Sequence, residues 1–294
     1  MELVPFAIPF RQPFVTSSVA HRVREGLLVR LIASDGVGIG EASPPPSLGR
    51  PAVQEAVEGL ATGSDALPPW ARFGLETARL DLEGRRRGIP VAALHAPDFR
   101  RTVEVNATLA SVEAAAAAEQ AAAAREAGIR TVKLKVGVGS PAADAERVAA
   151  VRAAVGPDVA IRVDANGAWS EREAEAALAR IAPYGIEYVE QPVARGHRAA
   201  LARLRSRSGV RIAADEEITG STAAAEVIAA QAADVLILKP ARVGGASVIR
   251  EIARLAHDAG LSVVVTTTLD SSVAVVAALH IAAALQPPPR ACGL

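Results

Sequence analysis

Cysteine is almost absent from this chain, because Cys292 is the only one among 294 residues. A single thiol excludes an internal disulfide and a thiolate metal cluster. Aromatic residues are also scarce, at 3% of the sequence, and alanine, valine, leucine and isoleucine fill the chain instead. The blocks of alanine at 114–118 and 121–124 are strong helix formers and are interrupted by charged residues at near-helical intervals. They predict the outer helices of a layered protein.

An excess of charge of either sign is missing too. The formal net charge is zero, so there is no electrostatic case for binding nucleic acid or an anionic membrane surface. No apolar run reaches the roughly 18 residues needed to cross a bilayer, and the first residues lack the pattern of a signal peptide. We therefore expect a soluble, cytoplasmic protein with no nucleic-acid or membrane partner.

The first third of the chain has its own pattern. Strand-like runs are followed by helical stretches, which is typical of an α+β unit. The strand-like runs are at 3–9, 26–32 and 37–41, and the helical stretches are at 53–60 and 70–87. We expect residues 1–97 to form an N-terminal α+β capping domain. Its loops at 12–21 and 43–50 are placed to cover the mouth of the second domain.

Residues 98–294 alternate regularly between strand and helix. The candidate strands are 103–109, 131–136, 159–164, 186–190, 210–214, 235–239 and 262–267. An eighth strand would have to be 290–294, and the helix that would follow it is missing. The pattern predicts an α/β protein whose catalytic domain is a modified (β/α)8 TIM-type barrel.

Five charged residues stand at the ends of consecutive candidate strands. They are Lys135, Asp164, Glu190, Asp215 and Lys239, and they recur every 24 to 29 residues. That spacing is the length of one strand, one helix and two short loops. Because the carboxyl ends of barrel strands meet on one face, all five side chains are expected at the same mouth.

The three carboxylates Asp164, Glu190 and Asp215 predict a metal site. Carboxylates that converge without a cation repel one another, so a bound cation is needed to keep them ionised. Oxygen ligands without cysteine or histidine favour Mg²⁺, or Mn²⁺, over zinc. The alternative is that each acid caps the helix after its strand, although this does not explain why three consecutive strands end in the same way.

The lysines predict acid–base chemistry. Lys133 and Lys135 are two residues apart on one strand and so leave the same face. Two neighbouring ammonium groups lower the pKa of at least one, which would provide a neutral base; the alternative is a solvated edge strand. Lys239 is expected on the opposite side of the mouth, where its alternative role is an ion pair with Asp215.

The same residues lie in five short motifs. These are Lys133-Leu134-Lys135, Asp164-Ala165-Asn166-Gly167-Ala168-Trp169, Glu190-Gln191-Pro192, Ala214-Asp215-Glu216 and Leu238-Lys239-Pro240. Together they resemble the enolase superfamily and, within it, the muconate-lactonizing-enzyme subgroup. The segments 266–272 and 291–294 make the chain most similar to the o-succinylbenzoate synthases of that subgroup.

The resemblance implies a Mg²⁺-dependent lyase of menaquinone biosynthesis with a small-molecule carboxylate substrate. Lys135 would abstract a proton α to a metal-bound carboxylate and then protonate the departing hydroxyl, which is a syn dehydration. Lys239 would face the intermediate as a cation, and Lys133 would polarise the site. Asn166 and Ser271 are candidate contacts to the substrate.

Other functions remain open at this point. An N-acylamino acid racemase, a dipeptide epimerase or a cycloisomerase of the same superfamily would use the same lysines and carboxylates. A Schiff-base aldolase would use Lys135 or Lys239 to attack a carbonyl. An inactive barrel that serves as a binding module is the third alternative.

Overall fold

The computed structural model of the protein describes residues 1–15, 20–109 and 113–294. For residues 12–15 and 20–21 it describes the backbone alone. Of the predicted capping loop at 12–21, residues 16–19 lie outside the described residues. Its other residues extend strands β1 (Glu2–Val15) and β2 (Ala20–Ala33), which pair antiparallel. This correction arises because the polar and proline residues near position 12 interrupt the hydrophobic alternation without ending the strand.

The N-terminal unit is a three-stranded antiparallel sheet covered by helices. β3 (Gly36–Ala42) pairs with β2, and the chain continues into α1 (Gly49–Thr62), α2 (Pro69–Arg87) and α3 (Val91–His95). Helix α2 packs directly on β3 because two glycines leave room for its backbone. A Cβ atom on Gly40 would lie 1.9 Å from the carbonyl oxygen of Gly74, and one on Gly38 would lie 2.1 Å from that of Ala78.

The remainder of the described chain alternates between parallel strands and helices. The strands are β4 (Ala107–Leu109), β5 (Thr131–Lys135), β6 (Ala160–Asp164), β7 (Ile186–Glu190), β8 (Ile212–Ala214), β9 (Val235–Leu238) and β10 (Ser262–Val265). The helices are α4 (Ala114–Glu126), α5 (Pro141–Val155), α6 (Glu171–Ile181), α7 (Arg198–Arg207), α8 (Ser221–Ala229), α9 (Pro240–Val243), α10 (Ala246–Asp258) and α11 (Ser272–Ala284). A short 3-10 turn, Ala182–Tyr184, follows α6.

These seven strands form one curled parallel sheet in the order β10-β9-β8-β7-β6-β5-β4. The last residues of the chain lie between its two edges. Cys292 forms a parallel bridge with Val105 beside β4, and Gly293 forms one with Thr266 beside β10. Asn106 donates its amide to the carbonyl of Cys292 at 2.9 Å, which continues the ladder. The predicted TIM-type barrel with an α+β cap is therefore confirmed.

The two faces of the barrel strands carry different side chains. Leu134, Val163 and Leu236 belong to the main core, which extends to the outer helices and the cap. Residues whose side chains lie on the other face of the strands form a second cluster, which consists of Tyr188, Ala213, Val235, Ile237 and Val264. Because side chains alternate along a strand, this second cluster lies inside the barrel.

A buried arginine ties the final residues to the barrel interior. Arg162 is only 1% exposed and donates to the carboxylate of Glu187 at 2.7 Å and to the carbonyl of Ala291 at 2.6 Å. Its guanidinium lies 4.9 Å from the ring centroid of Tyr188. Arg290 pairs with Glu187 as well, at 2.6 Å. The strand that closes the barrel is thus held by side-chain contacts as well as by its backbone.

In the described ranges, none of the helices combines the length and the apolar character that a membrane span requires.

Replacement of Arg162 by methionine tests this closure. Arg162→Met removes the donor to Glu187 and to the carbonyl of Ala291, although Arg290 still pairs with Glu187. We therefore expect the free energy of unfolding to fall by about 1–3 kcal/mol. The measurement is a urea denaturation followed by circular dichroism. The control is Arg254→Met, which breaks an exposed pair with Asp258 and should cost less than about 1 kcal/mol. A loss in Arg162→Met no larger than in the control would contradict this role.

Candidate active site

A cavity of about 320 Å³ opens at the carboxyl ends of the barrel strands. Barrel strands and the loops after them supply most of its walls, and Pro46 enters from the cap. Its charged lining residues are Lys133, Lys135, Asp164, Glu190, Glu216, Lys239 and Arg242. Asn166 lines the cavity as well. Of the eight residues that the sequence assigned to the site, six therefore line this cavity, and Asp215 and Ser271 do not.

Lys133 and Lys135 point to the same side of β5 and contact the neighbouring acids. The Nζ atom of Lys133 lies 2.9 Å from Asp164 Oδ2 and 2.7 Å from Glu190 Oε1. The Nζ atom of Lys135 lies 2.7 Å from Asp164 Oδ2 and 2.6 Å from Asn166 Oδ1. Their side chains are 15% and 20% exposed, which excludes a solvated edge strand.

The opposite flank of the cavity is built around Asp215. Lys239 donates to Asp215 Oδ2 at 2.5 Å, and Arg242 donates to Asp215 Oδ1 at 2.7 Å. Asp215 is fully buried behind these cations and, in the described part of the chain, is not itself a lining residue of the cavity. The ion pair that the sequence offered as an alternative for Lys239 is present, and the ammonium group still lines the cavity.

Lysine occurs nowhere else in the sequence. Lys133, Lys135 and Lys239 are the only lysines among the 32 basic residues, and the others are all arginine. All three line this cavity. Arginine stays protonated in proteins, whereas a lysine amine can gain and lose a proton near neutral pH when its surroundings shift its pKa. The confinement of lysine to this cavity indicates a role for a primary amine there, which arginine does not provide.

The acids carry very different pKa values. Burial acts to raise the pKa of Asp164, but Lys133 and Lys135 outweigh it and hold that pKa well below the usual range. Burial is likewise outweighed at Asp215, where Lys239 and Arg242 lower the pKa to about 2. At Glu190, burial and the charge of Asp164 raise the pKa to about 8 despite Lys133. Glu190 is therefore the acid whose negative charge is least compensated.

Lys133 behaves differently from the expectation for a pair of neighbouring lysines. Burial acts to lower its pKa, but the carboxylates of Asp164 and Glu190 raise that pKa well above its ordinary value. The pKa of Lys133 therefore does not fall, because two acids contact the ammonium group directly. Lys133 remains a cation.

The acids do not serve as helix caps. The residues that precede α6, α7 and α8 are Ser170, His197 and Gly220, and Ser170 forms a complete capping box with Glu173. The alternative assignment of the three acids to helix capping is therefore excluded.

The donor set suits a hard divalent cation. Asp164 and Glu190 contact the same ammonium group, all three acids are buried, and the charge of Glu190 calls for a further cation. Across residues 1–15, 20–109 and 113–294, no three or more His, Cys, Asp or Glu side chains stand in a metal-ligating arrangement. The lysine ammonium groups contact the carboxylates instead. The residues fit Mg²⁺ by chemistry.

The two candidate substrate contacts have different surroundings. Asn166 lines the cavity and links Lys135 to Glu216. The Nδ2 atom of Asn166 donates to Glu216 Oε1 at 3.3 Å. Ser271 begins α11, and both its amide and its hydroxyl donate to Glu41 of the cap. In the part of the chain that is described, Ser271 is not among the lining residues. In this structure Ser271 makes an interdomain contact, and its contact to the substrate stays a prediction.

Sequence reasoning missed several lining residues. Tyr188 stands two positions before Glu190 on β7, so the alternation of side chains along that strand places both inside the barrel. Arg242 follows Lys239 by three residues in the short helix α9. Glu216 belongs to a quoted motif without having been assigned a role.

Comparisons with known proteins agree with this geometry. Residues 116–292 match the family described as "Enolase C-terminal domain-like". The o-succinylbenzoate synthase of Thermobifida fusca (strain YX) is 38% identical over 291 residues, which is 98% of this chain and 78% of that protein. Chloromuconate cycloisomerase CbnB of Cupriavidus necator is 31% identical over 315 residues, covering 98% of this chain and 84% of that protein.

Solved structures share the whole architecture. A dipeptide epimerase from Enterococcus faecalis V583, complexed with Mg and the dipeptide L-Leu-L-Tyr, superimposes with a TM-score of 0.89 at 27% identity. The match covers 100% of this chain and 88% of that one. On the family match, these identities and the shared fold, this chain is an enzyme that belongs to the enolase superfamily.

Proposed function

We propose that the enzyme forms o-succinylbenzoate by syn dehydration of a hydroxylated cyclohexadiene carboxylate. The observation that carries the proposal is the convergence of all three lysines with the acids on one cavity. The 38% identity to an o-succinylbenzoate synthase over 98% of the chain supports this reaction over the others of the superfamily.

The proposed reaction needs a divalent cation. Asp164, Glu190 and Asp215 would hold Mg²⁺, which supplies Lewis-acid stabilisation of the negative charge that develops on the substrate carboxylate. Lys133, as a permanent cation beside Asp164 and Glu190, adds positive charge on the same side.

Lys135 is the proposed base and acid. Its Nζ atom, as a free amine, accepts the proton from the carbon α to the carboxylate. The same Nζ then returns that proton to the hydroxyl leaving from the adjacent carbon, so that one water departs and a carbon–carbon double bond forms. Asn166 Oδ1, 2.6 Å away, orients this nitrogen towards the cavity.

Lys239 contributes a cation on the other flank. It is held by Asp215 at 2.5 Å, and its ammonium group faces the space in which the ring would lie. In a syn dehydration it transfers no proton, because both events occur on the face of Lys135.

A racemase or epimerase is the second candidate function. One observation favours it, namely that Lys135 and Lys239 stand on separate flanks of the cavity, anchored to different acids. A racemase would use both amines, with one removing a proton and the other delivering it to the opposite face.

Mg²⁺ affinity tests the proposed metal ligands. Glu190→Gln removes the acid with the least compensated charge, so we expect Mg²⁺ to bind more weakly by at least about tenfold, measured by isothermal titration calorimetry. The control Glu187→Gln makes the same change on the same strand, at a residue that pairs with Arg162 instead. Equal affinities in wild type and both variants would remove Glu190 from the site.

Replacement of Lys135 tests the proposed base. Lys135→Met should lower kcat for the aromatic product, followed by ultraviolet absorbance, by about 10²- to 10⁴-fold. Circular dichroism should show an unchanged fold. Arg130→Met, an exposed basic residue just before β5, is the control and should retain wild-type kcat. Activity that persists in Lys135→Met would exclude Lys135 as the base.

Hydrogen exchange in D₂O separates the two candidate functions. The proposed lyase should dehydrate its precursor with a higher kcat/KM than it exchanges the Cα proton of any N-acylamino acid. A racemase should show the reverse order. In that case Lys135→Met should lose exchange with one enantiomer and Lys239→Met with the other, as measured by proton NMR.

A further inference from the structure

A buried arginine of the cap joins two loops at the edge of the active-site cavity. Arg24 lies on β2 and is 3% exposed. One of its terminal nitrogens, Nη1, donates to the carbonyl of Pro44 at 2.6 Å. The other, Nη2, donates to Asp270 Oδ1 at 2.7 Å. Pro44 belongs to the cap, and Asp270 belongs to the barrel loop after β10.

Both loops supply walls of the cavity. Pro46, two residues after the carbonyl that Arg24 holds, is a lining residue from the cap. On the barrel side, Thr268 and Leu269 are lining residues directly before Asp270. Arg24 itself is not among the described residues that line the cavity, so it acts on the walls without facing the substrate.

The barrel loop needs such an anchor. Leu269 has a φ of 59°, in the left-handed region that non-glycine residues occupy only when their surroundings hold them there. Asp270 holds this turn from inside, because its Oδ2 accepts from the amide of Thr268 at 3.0 Å. Its other oxygen is the one that binds Arg24. The ion pair therefore fixes a strained turn that forms part of the cavity wall.

The cap is docked to the barrel by a second, separate set of contacts. Glu41, 1% exposed on β3, accepts from the amide of Ser271 at 3.1 Å and from that of Ala274 at 3.2 Å. It also accepts from the hydroxyl of Ser43 at 2.7 Å. Loss of Arg24 would leave these contacts in place, so the wall can be loosened without undocking the cap.

We propose that Arg24 is a positioning residue for substrate binding. It holds the cap loop at 44–46 and the barrel loop at 268–270 at a fixed distance from each other. This distance determines how wide the cavity is between the two loops. The choice of assay substrate rests on the proposed function, whereas the link between the two loops does not. A purely structural ion pair would change stability and leave the Michaelis constant unchanged.

Three variants separate the positioning role from stability. Arg24→Met removes the link and leaves Asp270 buried without its partner. Arg24→Met combined with Asp270→Asn removes the link and also the unpaired charge, while a side-chain oxygen remains to accept from the amide of Thr268. Stability should therefore recover while the wall stays loose. Arg24→Lys keeps a cation near Asp270 but lacks the fork that reaches both loops. The matched control is Arg30→Met on the same strand, which breaks an exposed pair with Glu2.

Steady-state kinetics should show a split between binding and turnover. We expect KM to rise by about tenfold or more in Arg24→Met and in the double variant, with kcat changed by less than about threefold. Arg24→Lys should lie between these and wild type, and Arg30→Met should match wild type. Mg²⁺ affinity should be the same in all of them. A wild-type KM in the folded double variant overturns the proposal, as does a fall in kcat at constant KM.

Amide hydrogen exchange gives a second result that is independent of the reaction. The amides of residues 266–270 should exchange faster in the double variant than in wild type, while those of β5 to β9 should not. Absence of turnover by wild-type enzyme would contradict the proposed function, and unchanged exchange at 266–270 would contradict the role of Arg24.

Discussion

The burial of three acids at the ends of neighbouring strands is the constraint on which the rest of this structure depends. A carboxylate withdrawn from water costs several kcal/mol unless cations compensate it. Lys133, Lys135, Lys239 and Arg242 supply that compensation for Asp164 and Asp215, whose pKa values fall. Glu190 remains under-compensated, with a pKa raised to about 8. The barrel thus holds an electrostatic arrangement that one more cation would complete.

The same constraint explains why lysine is confined to this place. An arginine could pair with the acids, but it would remain protonated and could not accept a proton. The chain uses arginine even for its most buried structural pairs, such as Arg162 with Glu187 inside the barrel. Elsewhere in the chain, arginine supplies the basic side chains. The three lysines lie where a compact nitrogen, rather than a planar guanidinium, faces the space for a substrate.

The sequence predicted the strand ends well because each apolar run stops at one charged residue, and Asp164 and Glu190 do end β6 and β7. It did not predict Arg162, because a charge within an apolar strand resembles a solvent-facing position until the barrel closes around it. It did not predict the contact of Ser271 with Glu41 either, because the two residues are 230 positions apart in the chain. The pKa of Lys133 depended on distances to two acids, which spacing along the chain does not give. In general, residues that act through the backbone register were predictable, and those that act through long-range side-chain pairs were not.

The cap contributes little chemistry and much of the shape of the cavity. In the described chain its one lining residue is Pro46, whereas its buried charges Arg24 and Glu41 hold the barrel loop that follows β10. Because the barrel strands carry the lysines and acids, the loops that line the cavity can differ between related proteins while those residues stay in place. The similar proteins include a cycloisomerase, a synthase and an epimerase. Since the fold alone does not determine which reaction occurs, the loops held by the cap are where the choice of substrate is expected to be made.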